Sequence, residues 1–521
     1  MSAGPFILTI DVGTTACKAV MFDATGRPVG QGEQEYPTYH PRPLWAEQDP
    51  EDWWQACIAA VRRALAHMER AGAYRGEVPP DVAAIGLSSQ RETVALVDFD
   101  GRPLARAISW MDRRGAAQVQ ALARRLGAQR IHRHTGMVPD ATFTLAKLLW
   151  MREHEPELLR RAAYLLQPRD LVVHRLTGRF VTDPSLASRT MMWDSLAGRW
   201  WGAAFDEAGI DPGRFPPVVA SHERAGNLTP EAAQALGLRA GVPVVTGGGD
   251  RCLEALGVAL GPGEAMESTG TTSNVSTVVP EAVGRGGRVP GLLYTVHVLP
   301  GHWLVEQGLN ATGAILRWLR ELAFGEERRR LEREGKDVYD AMSEEAGEVP
   351  PGADGLFLLP YFMGARAPRW QPQARGAAIG LTLEHTRAHL VRAAMESVAL
   401  ELRACRQVLE SAGIDVSRIV AMGGGARSPL WLQIKAAAVE RPVIVPRLGL
   451  AASLGAMVLA GWGVGLWRDP LEAARAFNPP EREVAVNPSL SAAYRTLAER
   501  YERLVQVMMP VYSELWDPEQ G

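Results

Sequence analysis

Lysine is scarce in this chain. Of 56 basic residues among 521, only Lys18, Lys147, Lys336 and Lys435 are lysines and the rest are arginines. That bias fits a GC-rich genome better than a chemical need, with thermophily as the alternative. Cysteine is equally scarce. Cys17, Cys57, Cys252 and Cys405 make no disulfide framework and show no C-x-x-C or histidine spacing suited to zinc, so a reduced, intracellular protein is expected. An excess of one charge is also missing: 56 basic against 59 acidic residues leave a formal charge of −3. This gives no case for nucleic acid or an anionic membrane as partner. No apolar run reaches the roughly 18 residues of a membrane span. The N-terminus enters a strand-like run, Phe6–Ile10, with no basic region or cleavage site before it. The expected location is cytoplasmic.

Several motifs are absent as well. There is no GxxxxGK[ST], which excludes a P-loop nucleotide site, and no GxSxG, HExxH or EF-hand pattern. His132 and His134 flank Arg133 as a lone H-x-H, which reads as a surface turn rather than a metal site.

What is present is an ordinary globular composition, 46% hydrophobic and 22% charged, in a length suited to two or three domains. The opening reads as strand, turn, strand, turn, strand, with Gly13-Thr14-Thr15 at the first turn. Asp49, Pro50, Glu51 and Asp52 then mark a helix start, and apolar residues recur at helical spacing from Trp53 to Met68. Buried strands are predicted at Val82–Leu87, Val242–Thr246 and Ile419–Met422, and helices over 114–127, 144–176, 313–335, 384–412, 428–439, 451–461 and 490–515.

Strand-then-turn chemistry recurs along the chain. Ser268-Thr269-Gly270-Thr271-Thr272 repeats the opening, with Gly270 lying 257 positions after Gly13, close to half the length. A third turn, Gly423-Gly424-Gly425, also follows a strand. Glycine permits tight turns whose backbone N–H groups can cradle phosphate oxygens, and threonine hydroxyls add donors. Asp11 and Asp250 stand at two strand ends; Asp11 suits a Mg²⁺-bound water shell, and Lys18 is within reach of the same phosphates. Together these turns and carboxylates point to a nucleotide cleft.

DVGTT, GGGD, STGTT, GARAPRWQPQARGAAIGLT and GGGARSPLW, in that order, resemble the FGGY carbohydrate kinases from about Ile7 to about Gly465. The resemblance implies an α/β fold of two ribonuclease-H-like domains, of the actin and sugar kinase type, flanking a deep cleft. Residues 1–246 would carry the acceptor site and first phosphate loop, and residues 247–521 the second phosphate loop and adenosine site. It implies ATP and Mg²⁺ as cofactors. Asp11, held to Mg²⁺ through water, would bind the phosphates with Gly13, Thr14, Thr15, Lys18, Gly270, Thr271 and Thr272. Gly313, Gly424 and Gly425 would contact the nucleotide, and Arg317 falls where glycerol kinases have Gln. Asp250 would be the general base.

For the acceptor, Gln90-Arg91-Glu92 resembles the glycerol kinase string in which Arg and Glu hold polyol hydroxyls, where xylulose kinases carry Met-His. Trp110 would pack on the carbon chain, and Asp250 and Arg251 complete the acceptor set. Thr142 replaces a polyol-binding Tyr and leaves room for a longer acceptor. The expected partner is a small sugar or polyol, most simply a ketopentose such as D-xylulose, with glycerol or a tetritol as the alternative; a homodimer is the family's habit. Competing readings make Arg91–Glu92 a surface ion pair, Trp110 a core aromatic, or the whole chain a non-catalytic sugar- or nucleotide-sensing protein.

Overall fold

The computed structural model describes residues 5–74 and 79–515, which divide into two compact units. The first comprises Met1–Ala259, Val279–Leu304 and Leu450–Pro479; the second comprises Leu260–Val278, Val305–Gly449 and Pro480–Gly521. Val279–Leu304 and Leu450–Pro479 thus pack with the N-terminal part of the chain, and Asp250 falls in the first unit.

In the first unit, strand Phe6–Val12 pairs antiparallel with Ala16–Phe22 across the Gly13–Thr15 turn, and parallel with Val82–Ser89 on its other side. The sheet continues through Pro28–Glu35 at one edge and through Pro243–Val245 and Arg224–Asn227 at the other. Helix Pro50–Arg70 covers one face. Asp49 caps it by accepting from the Glu51 N–H at 3.0 Å, and Trp53, Cys57, Ala60, Ala64 and Met68 form its buried stripe. The helix lies so close to the sheet that a Cβ at Gly32 would stand 2.1 Å from the Ala60 carbonyl oxygen.

The late segment joins this unit for a similar reason. Helix Ala451–Gly463 crosses helix Asp250–Gly257 where both are glycine. A Cβ at Gly257 would meet the Ala451 oxygen at 2.0 Å, and one at Gly455 the Leu253 oxygen at 1.9 Å.

The second unit repeats the central motif of the first. Strand Glu264–Thr269 pairs antiparallel with Ser273–Pro280 across the Gly270–Thr272 turn and parallel with Arg418–Gly423. Arg418–Gly423 in turn pairs parallel with Val443–Pro446, whose outer neighbour is the antiparallel strand Pro480–Val484. Helices Arg387–Ser411, Pro429–Val439 and Pro488–Leu515 belong to the same unit.

Three expectations are corrected. The helix predicted over 144–176 is three helices, Thr144–His154, Pro156–Arg161 and Pro168–Thr177, with strand Tyr164–Leu166 between the last two. Pro156 and Pro168 each open a new helix, because proline cannot donate to a preceding turn. The charged helix over 313–335 is likewise two, Gly313–Ala323 and Gly325–Arg333. His132 and His134 lie on helix Ala128–Thr135, not in a surface turn. His132 is buried against the Leu292 carbonyl at 2.8 Å, and His134 Nδ1 meets Asp194 at 2.7 Å.

Candidate active site

The two glycine–threonine turns are built on one plan. In the first, the Gly13 carbonyl accepts from the Tyr36 hydroxyl and from Gln90 Nε2 at 3.0 Å, the Thr14 carbonyl from Gln48 Nε2 at 2.6 Å, and the Thr15 carbonyl from the Tyr36 N–H at 3.1 Å. In the second, the Gly270 carbonyl accepts from the Gly313 N–H at 3.0 Å. The Thr271 carbonyl accepts from the Thr312 and Ala314 N–H groups at 3.2 Å each, and that of Thr272 from the Gly270 N–H at 2.9 Å. A trans peptide points its N–H opposite its C=O. With the carbonyls tied inward, the N–H groups of Thr14 and Thr15, and of Thr271 and Thr272, face the other way. Each turn is thus a pair of aligned amide donors suited to an anion.

Asp11 stands beside the first turn, in register with Ser88 on the parallel neighbour strand, while Gly248 pairs with Ser88 from the far side. The three strand ends thereby bring Asp11 near Asp250, the first residue of helix Asp250–Gly257. Burial lifts the Asp11 carboxyl to a pKa of about 6; the charges of Asp250 and Glu254 add to this, and Ser88 and Lys18 oppose it. Asp11 Oδ1 is buried without a hydrogen-bond partner. Among the described residues no group of three His, Cys, Asp or Glu forms an all-protein metal site. A single orphaned carboxylate suits Mg²⁺, which takes one or two carboxylates and fills its remaining positions with water and phosphate. Lys18 lies opposite Asp11 on the ladder, its amine 3.8 Å from Glu33 at a half-exposed position.

Asp250 is one-third exposed. Its Oδ1 accepts from its own helix's Arg251 N–H at 2.7 Å and lies 3.2 Å from Arg91 Nε. Arg91 and Glu92 are both buried, at 8% and 5% exposure, which excludes the surface ion pair. Glu92 bonds Arg189 Nε at 2.5 Å. Glu92 holds a φ of 66°, a left-handed conformation costly for a residue with a side chain, and its N–H donates to Gln167. Arg251 bonds Glu254 at 2.7 Å. Gln90 gives its amide to the Gly13 carbonyl and Gln48 and accepts from Thr93 at 3.1 Å, so it holds the first loop. The Trp110 indole N–H donates to Thr14 Oγ1 at 3.0 Å, so this ring is not merely a core aromatic. Thr142 is buried with its hydroxyl on Asp140 and on Arg113.

In the second unit a cavity of about 360 Å³ opens beside the Gly270–Thr272 loop. Thr271, Gly313, Arg317, Gly424, Gly425 and Trp431 line part of it. Two of these glycines are required by closeness: a Cβ at Gly313 would stand 2.3 Å from the Gly270 oxygen, and one at Gly425 2.7 Å from the Thr269 side chain, whereas one at Gly424 would meet nothing within 4 Å. The volume is within the range of small-ligand sites.

Residues 6–257 match the FGGY family of carbohydrate kinases, N-terminal domain, and residues 265–464 match the C-terminal domain of the same family. The chain belongs to the FGGY family of carbohydrate kinases. This kinase is 34% identical to a glycerol kinase of Bordetella parapertussis over 503 residues, covering 92% of this chain and 94% of that protein. It is 30% identical to a gluconokinase of Bacillus subtilis over 520 residues, covering 99% and 98%. The crystal structure of a ligand-bound xylulose kinase from Lactobacillus acidophilus superposes with a TM-score of 0.88 at 25% identity, over 98% of this chain and 100% of that one. The FGGY kinase is therefore a phosphotransferase of two α/β domains, and the sensing-protein alternative falls away. No helix among the described residues is long and apolar enough to cross a membrane.

The residues invisible to the sequence reading are those that hold the loops. Gln48 and Tyr36 secure the first, and Arg189 holds Glu92. Glu267 and Lys435 stand under the second. None lies in a motif, and each reaches its partner only through the fold.

Proposed function

We propose that this FGGY kinase transfers the γ-phosphoryl group of ATP to a hydroxyl of a ketopentose such as D-xylulose. The observation that carries the transfer is the pair of loops whose carbonyls are all bound inward, leaving amide donors for phosphate oxygens. In this reading the second unit holds ATP, with Gly313, Gly424 and Gly425 along the nucleotide and Thr271 and Thr272 on its phosphates. Gly13, Thr14 and Thr15 donate to the transferring phosphoryl, with Lys18 adding positive charge from across the ladder. Asp11 would hold Mg²⁺, which when bound neutralises phosphate charge. Asp250 Oδ accepts the proton of the attacking hydroxyl, and Arg91 fixes the direction of that carboxylate. The work is positioning and electrostatic stabilisation rather than covalent chemistry.

For the acceptor, Arg91 and Arg251 can donate to hydroxyl oxygens and Glu92 can accept from them. Thr142 supports an acceptor longer than glycerol, because it puts a small, already bonded side chain where glycerol kinases have Tyr. The glycerol reading is favoured instead by the Gln90–Glu92 string and by the 34% identity to a glycerol kinase. Initial rates with D-xylulose, D-ribulose, gluconate, erythritol and glycerol at fixed ATP decide between them. The highest kcat/KM is expected for D-xylulose; glycerol as best substrate would overturn the acceptor assignment. A site built on hydroxyl pairing should also reject analogues lacking one hydroxyl, since its own groups would be left unpaired.

A further inference from the structure

We propose that Trp110 and Arg317 are positioning residues that aim the hydroxyl protons of Thr14 and Thr271 outward, each acting on the middle threonine of one loop. The inference rests on the phosphate-binding reading of those loops. Trp110 Nε1 donates to Thr14 Oγ1 at 3.0 Å, and Arg317 Nη2 donates to Thr271 Oγ1 at 2.7 Å. An indole N–H and a guanidinium can only donate. Each threonine oxygen must therefore accept at that bond, and its own single proton must go elsewhere. Among the described residues no acceptor takes that proton from either hydroxyl, and the loop carbonyls are already engaged.

A hydroxyl that is free to rotate can turn a lone pair toward an incoming phosphate oxygen, which repels it. One that is already accepting from a fixed donor presents its proton instead, which is the polarity an acceptor-only oxygen requires. The donor in the first unit is itself anchored. The Trp110 backbone N–H donates to Thr93 Oγ1 at 3.1 Å, and Thr93 donates to Gln90 Oε1 at 3.1 Å, so the backbone that carries the ring is tied to the same side chain that holds the Gly13 carbonyl. In the second unit Arg317 projects from helix Gly313–Ala323, whose first N–H holds the Gly270 carbonyl. Two side chains of unrelated type, from unrelated local structures, thus do the same work at equivalent positions 257 residues apart.

The test is a pair of double-mutant cycles on the full chain, Trp110→Phe with Thr14→Val or Thr14→Ser, and Arg317→Met with Thr271→Val or Thr271→Ser. Trp110→Phe keeps an aromatic ring, smaller than the indole, and removes the donor; the Thr14→Val background separates the lost volume from the lost bond. Trp110→Phe should lower kcat about three- to tenfold, the scale of one net hydrogen bond, with the acceptor KM unchanged. The same loss should recur in Thr14→Ser, which keeps the hydroxyl, and vanish in Thr14→Val, which lacks it. The Arg317 cycle should behave alike, and it reads the inference independently should the Trp110 variant fold poorly. A full Trp110→Phe loss on the Thr14→Val background, or a loss confined to acceptor KM, would overturn the inference while leaving the loop reading intact. Wild-type turnover in both valine variants would overturn the loop reading itself, and the inference with it.

Discussion

Lys435 Nζ lies 2.7 Å from Glu267 Oε2 with both side chains only 1% exposed, directly under the Gly270–Thr272 loop. Lys435 also donates to Thr269 Oγ1 at 2.9 Å, and Ser273 links this cluster to Thr312 at 3.0 Å. A buried pair of this kind adds little net stability, but removing one partner strands a charge. Lys435→Met should therefore cost about 3–5 kcal/mol, and adding Glu267→Gln should restore much of that loss. Urea denaturation midpoints of the three proteins check it; a Lys435→Met variant as stable as wild type would show that the pair is dispensable.

Arg91 is predicted to act on turnover rather than on nucleotide binding. Its Nε is 3.2 Å from Asp250 Oδ1, and losing a charged hydrogen bond of this kind costs about 1.5–3 kcal/mol. Arg91→Met should lower kcat by about 10- to 100-fold while the KM for ATP stays put. Steady-state kinetics with both substrates varied provide the measurement, and a loss seen in ATP KM alone would place Arg91 elsewhere.

His297 makes stability depend on pH. Its Nδ1 accepts from the Leu299 N–H at 3.1 Å, its Nε2 is buried without a partner, and burial, aided by His302, pushes its pKa down to about 3. The folded protein holds this imidazole neutral while the unfolded chain protonates it near 6.5. Stability contributed by the neutral ring is thus complete above pH 6.5 and declines as pH falls from 6.5 toward 3, by at most about 1.4 kcal/mol per pH unit. His297→Gln should flatten that decline. Parallel denaturation profiles for wild type and variant between pH 7 and pH 4.5 would remove His297 as the cause.

The parts of this architecture legible in the sequence are those written by neighbouring residues. Asp49 and Pro50 announce a helix because cap and first turn are local, and Gly13-Thr14-Thr15 announces a strand turn for the same reason. Asp11 and Asp250 could be singled out because each ends a recognisable strand. The supports were not legible. Gln48 reaches Thr14 from 34 residues away and Lys435 reaches Glu267 across 168, and nothing local in either segment encodes the meeting. The bonds of Gln90 to Gly13 and Gln48 were hidden in the same way, because its motif speaks only of the acceptor and both partners lie far away in the chain. The return of Leu450–Pro479 to the first unit depends on Gly257 meeting Ala451 and Gly455 meeting Leu253, which sequence order conceals.

The most direct test of the account is Asp250→Asn, which is nearly isosteric, keeps an acceptor oxygen for the Arg251 N–H, and cannot take up a proton at neutral pH. General-base assistance contributes about 10²- to 10⁴-fold. Rapid-quench measurement of γ-phosphoryl transfer to D-xylulose, with ATP affinity measured by calorimetry on the same protein, should therefore show turnover reduced by about that factor and nucleotide affinity unchanged. Transfer at the wild-type rate would contradict the assignment of Asp250 as the base and, with it, the mechanism drawn from this site.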